Sequence, residues 1–92
     1  MTHEGELPLE MMGNLPPSAF ELARFWVDSN RSYVAVGYPE KWSPELLGSL
    51  LVESVHTAAV AYAQQTELPE QEALDAIWRG LDEERERLAN GL

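Results

Sequence analysis

Ser49, Glu53 and His56 recur at steps of four and three, a spacing that sets all three on one side of an α-helix. A carboxylate and an imidazole so placed could work as an acid/base pair, or supply half of a metal site. Catalysis also needs a third positioned group and a pocket, and the sequence shows neither. The simpler reading, which we favour, is one solvated or interface stripe on an otherwise buried helix. No H-E-x-x-H, nucleophile elbow or glycine-rich phosphate loop occurs. The absence of cysteine rules out disulfides and thiolate zinc sites, and the other histidine, His3, sits beside the start. The expectation is no catalytic residue, no metal and no cofactor, hence no enzyme.

A second cluster is Arg24, Trp26 and Tyr33. Arginine and aromatics are the residue types enriched at interface hot spots. One reading is a recognition surface, for self-association or for a ligand or other partner. The other is internal packing, with Trp42 covering Trp26 and arginine stacking on an aromatic ring. Arg24, Trp26, Tyr33, Trp42 and His56 therefore form the candidate partner- or ligand-binding set. A third cluster is acidic: Glu67, Glu70, Glu72, Asp75, Asp82, Glu83, Glu84 and Glu86 are half of the 16 acids. They could dock a basic protein, or be the solvated face of a helix whose acidic start suits the helix dipole.

The elements that must position these residues can be read in turn. Residues 1–18 carry Gly5, Pro8, Gly13, Pro16 and Pro17 with no sustained period and read as a flexible arm, laid on the body through Leu7, Leu9, Met11 and Met12. Residues 19–92 read as a single domain. Glu21–Val27 and Ser32–Tyr38 are rich in aromatic and β-branched residues and flank the turn formers Asp28-Ser29-Asn30-Arg31, which predicts a β-hairpin. A two-residue or a four-residue loop gives one register: Trp26 opposite Tyr33, Phe25 opposite Val34, Arg24 opposite Ala35, Ala23 opposite Val36. One face is then apolar (Ala23, Phe25, Val27, Val34, Val36, Tyr38). The other carries Leu22, Arg24, Trp26, Tyr33, Ala35 and Gly37.

Tyr38-Pro39-Glu40-Lys41-Trp42 reads as a connector, followed by Ser43 as helix cap and Pro44 as first helical residue. The first helix should run to about Gln65. After a break at Thr66–Leu68, Pro69 opens a second helix, with Leu74, Ile77, Trp78, Leu81 and Leu88 as its apolar stripe and Asn90-Gly91 at its end.

Six basic residues against 16 acidic ones, a net charge of -10, argue against nucleic acid and against anionic membrane surfaces. The charge also disfavours the ribbon-helix-helix architecture, whose DNA-reading strand needs basic or amide side chains. No basic segment followed by an apolar run opens the chain, so a cytoplasmic protein is expected. Leu46–Ala63 approaches membrane-spanning length, but Ser49, Glu53, Ser54, His56 and Thr57 at its centre argue against a span.

Glu21-Leu22-Ala23-Arg24-Phe25-Trp26, Val34, Trp42-Ser43-Pro44, His56 with Ala61-Tyr62, and Ile77 with Gly80-Leu81-Asp82 and Glu84 occur in that order. Together they resemble the uncharacterised bacterial family known as domain of unknown function 5076, over about Leu15 to Glu84. The chain departs from it at Asp28-Ser29-Asn30, where the family has glycines, and at Leu47-Gly48, where an aromatic is expected before the glycine. The resemblance implies no activity, cofactor or catalytic residues.

Pro44–Ala63 is apolar on nearly every side, and a helix of that kind must be covered over most of its circumference. A 92-residue chain offers little else to cover it. The expected fold is therefore α+β, a β-hairpin packed on an antiparallel two-helix hairpin in the order ββαα, completed by homodimerisation. The expected function is a non-enzymatic protein–protein interaction or adaptor module. The alternative is a ligand-binding or enzymatic dimer with a pocket near the Arg24/Trp26/Tyr33 face.

Overall fold

Asp28 pairs with Arg31, so the loop joining the two strands is the two-residue Ser29-Asn30. The computed structural model describes residues 3–37, 40 and 42–91. Strand β1 (Ala23–Asp28) and strand β2 (Arg31–Val36) pair antiparallel in the register read from the sequence, with Trp26 opposite Tyr33 and Phe25 opposite Val34. The Gly37 amide donates to the Leu22 carbonyl at 2.8 Å and carries the ladder one step further. Ser29 adopts φ +56°, the positive angle that a two-residue hairpin loop imposes and that glycine adopts most easily. Tyr38, expected at the end of the apolar face, and Pro39 and Lys41 of the connector lie outside the described residues, as do Met1, Thr2 and Leu92.

Helix α1 spans Pro44–Gln65. Ser43 caps it as expected, its Oγ accepting from the Leu46 amide at 3.1 Å, and Pro44 begins the first turn, where no amide donor is needed. Thr66 closes it: the Thr66 amide and hydroxyl both donate to the Tyr62 carbonyl, at 2.9 and 2.7 Å. The same hydroxyl accepts from the Leu68 amide at 3.1 Å, which turns the chain. Helix α2 spans Glu70–Asn90, with Pro69 at its cap position, one residue before the helix it was expected to open.

The chain divides into two compact units, Met1–Pro39 and Glu40–Leu92. In the second, α1 and α2 pack against each other across the short link. His56 and Trp78, about equally far from that link on either side, are in ring contact, so the helices run antiparallel. Among the described residues the buried apolar ones are Val55, Ala59 and Ala73, the two alanines each 1 % exposed. The stripe expected on α2 is only partly buried: Leu74, Ile77 and Trp78 are half-buried, whereas Leu81 and Leu88 are exposed. Alanines, and not the larger residues of that stripe, thus hold the most deeply buried positions among the described residues.

Much apolar surface stays open. Phe25, Val27, Val34 and Val36 on the hairpin are exposed, as are Leu46, Leu51, Val52, Val60 and Tyr62 on α1. By length and composition alone α1 is also long and apolar enough to cross a membrane.

Candidate functional site

Alternation along the hairpin fixes which side chains share a face. Arg24, Trp26, Tyr33 and Arg31 stand on one side of the β1–β2 ribbon, with Trp26 and Tyr33 directly opposed. The Arg31 guanidinium lies over the Tyr33 ring, 5.2 Å from its centroid, a cation–π contact.

Arg24 is held by two carboxylates. Its Nε donates to Glu21 Oε1 at 2.7 Å, and Glu6 Oε2 lies 3.5 Å from its terminal nitrogen. The hydrogen bond to Glu21, then that carboxylate's charge, and more weakly Glu6, hold the guanidinium above its ordinary pKa against a small opposing effect of burial. Trp26 meets the ring of His3 edge-on, with centroids 4.9 Å apart and planes at 73°.

The arm is thus attached through His3 and Glu6, and not through Leu7, Leu9, Met11 and Met12, which are all exposed. Residues 3–6 form a tight turn in which the Glu6 amide donates to the His3 carbonyl at 2.9 Å. Gly5 supplies its third position with φ +88°, the angle of a type II turn. Leu9–Met12 form a single 3₁₀ turn after it. Sequence reasoning missed His3 and Glu6, although the His-Glu-Gly-Glu string carries a turn signal at Gly5.

Trp42 and His56 belong to the second unit. The Trp42 Nε1–H is buried without an acceptor among the described residues. His56 packs on Trp78, with ring centroids 6.3 Å apart. Among the described residues no hydrogen bond or ion pair joins it to Glu53. Glu53 instead borders an open groove along α1 with Leu50, Ser54, Thr57, Ala58 and Ala61. No group of three or more metal-ligating side chains occurs among the described residues.

No curated protein matches the chain. A solved structure of a candidate pyruvate dehydrogenase from the photosynthetic bacterium Rhodopseudomonas palustrus is similar over 100 % of this chain and 93 % of its own, at 30 % identity and a TM-score of 0.69. The profile of Domain of unknown function (DUF5076) matches residues 9–88, and the chain belongs to that family.

Proposed function

We propose that the protein is a cytoplasmic, non-enzymatic interaction module that works as a homodimer, its α1 covered by a second copy. The observation that carries this is the amount of surface left open. The chain exposes 8352 Å². A compact protein of 10.3 kDa exposes about 5,400 Å². Even two separate compact bodies dividing that mass as the two units do would expose only about 6,400 Å². The excess, roughly 1,900 Å² per chain, is more than the ~800 Å² that each partner contributes to a standard interface. Part of it lies in residues 3–20, and the remainder includes the open apolar side chains of the hairpin and α1.

A lipid bilayer is a poorer cover for α1, because Glu53 and His56 near its middle would be costly there. The acidic face of α2 suits a basic protein partner, the second element of the adaptor reading. Light scattering on the full chain tests the dimer: a mass of twice 10.3 kDa supports it, and a stable monomer overturns it.

A second reading takes its cue from the similar protein described as a candidate pyruvate dehydrogenase. Arg24 already binds carboxylates and could hold a small carboxylate ligand such as pyruvate on the Trp26–Tyr33 face. That reading expects pyruvate to raise the melting temperature of the wild type and not that of Arg24→Ala. No shift in either protein would count against it.

A further inference from the structure

We propose that the Arg24–Trp26 face of the hairpin is a docking surface for an acidic peptide segment bearing a ring and a carboxylate three residues apart, and that the chain's own residues 3–6 occupy it in cis. The proposal deepens the interaction-module reading by naming what the hairpin holds, and it does not depend on the dimer.

Three observations carry it. The turn at residues 3–6 points both of its ends at the hairpin: His3 at Trp26 and Glu6 at Arg24. The Glu6 side chain is only 25 % exposed, although the arm after it leaves Leu7 and Leu9 in the open. Gly5 has open space where a Cβ would stand, so glycine serves there for its backbone angle and not to relieve crowding. A segment that avoids burying its own leucines and instead seats one ring and one carboxylate is behaving as a polar ligand.

The chemistry of the seat is general. Trp26 offers an aromatic surface to any ring, including an imidazole. Arg24 Nε donates to Glu21 at 2.7 Å, which orients the guanidinium and leaves its terminal nitrogens to meet a second carboxylate, the place Glu6 takes at 3.5 Å. A peptide with the same ring and acid spacing meets the same groups, in competition with an arm tethered at an effective concentration of the order of millimolar.

The test uses the full chain labelled with 5-fluorotryptophan, so that ¹⁹F NMR reports each indole without substituting any tryptophan. The probe is a synthetic peptide of residues 1–12. The double variant His3→Ala/Glu6→Ala should bind this peptide at least about tenfold more tightly than the wild type, with the Trp26 resonance moving. Adding Arg24→Ala should abolish that binding. Gly5→Val, which keeps both the ring and the acid but disfavours the turn, should also increase binding over the wild type. Equal binding to wild type and double variant, or no binding to either, overturns the proposal. The mass of each sample is measured alongside, so loss of the dimer and loss of peptide docking are read separately.

Discussion

His56 meets Trp78 edge-on across the helix pair, with ring centroids 6.3 Å apart and planes at 74°. The histidine that shares a helix side with Glu53 is therefore engaged in a ring contact between α1 and α2. An aromatic pair of this kind contributes about 0.5–1.5 kcal/mol beyond its buried area. His56→Ala should destabilise the protein by about 1 kcal/mol in urea unfolding, and His56→Phe should restore most of the loss. If Phe were as damaging as Ala, the imidazole nitrogens would matter and packing alone would not explain the residue.

Ser29 takes a φ of +56° at the tip of the hairpin. A non-glycine residue there stores strain of the order of 1 kcal/mol. Ser29→Gly should therefore stabilise the hairpin by up to about 1 kcal/mol, and Ser29→Val should destabilise it. Amide hydrogen exchange across Ala23–Asp28 and Arg31–Val36 would show both effects. The family resemblance places glycines in this turn, so the change restores the residue type that the backbone angle favours.

Ala59 of α1 and Ala73 of α2 are each 1 % exposed. A larger side chain at so closed a position has to displace its neighbours. Ala59→Leu should cost about 1–3 kcal/mol despite being more hydrophobic, whereas Ala89→Leu, at an exposed position near the end of α2, should be within about 0.5 kcal/mol of neutral. Thermal unfolding of the two variants distinguishes them.

The hairpin register and both ends of α1 could be read from the sequence because local chemistry determines them. Asp28-Ser29-Asn30-Arg31 permits one pairing phase for either loop length, and Ser43-Pro44 combines a cap with a first-turn proline. The attachment of the arm could not be read in this way. His3 reaches Trp26 and Glu6 reaches Arg24 across long stretches of sequence, and no periodicity reports such contacts. The helix core was misread toward Leu81 and Leu88 because hydropathy weights large side chains, whereas the most deeply buried positions are held by alanine. Of the candidate site, the sequence placed Arg24, Trp26 and Tyr33 on one face, and the structure added Arg31, His3 and Glu6 to it.

Glu84 and Arg87 form two hydrogen bonds near the end of α2, at 2.8 and 2.6 Å. The hydrogen bond from Arg87, and its charge to a lesser extent, lower the pKa of the Glu84 carboxyl below its ordinary value. A depressed folded-state pKa means that the pair's contribution is present above the unfolded glutamate range, near pH 4.3, and is lost as pH falls through the lowered value. NMR titration should show Glu84 protonating at a lower pH in the wild type than in Arg87→Ala, the difference being set by the lost partner. Both groups are exposed, so salt should narrow the difference as well.

The proposed cover of α1 is a second copy of the chain. Its most direct test mixes isotope-labelled and unlabelled chains and looks for nuclear Overhauser effects between copies. Such effects are predicted at the methyl groups of Leu46, Val52 and Val60, which are 47 %, 46 % and 38 % exposed within one chain. Their absence at concentrations where the chain is fully folded, or their restriction to Phe25, Val27 and Val34 of the hairpin, would contradict it.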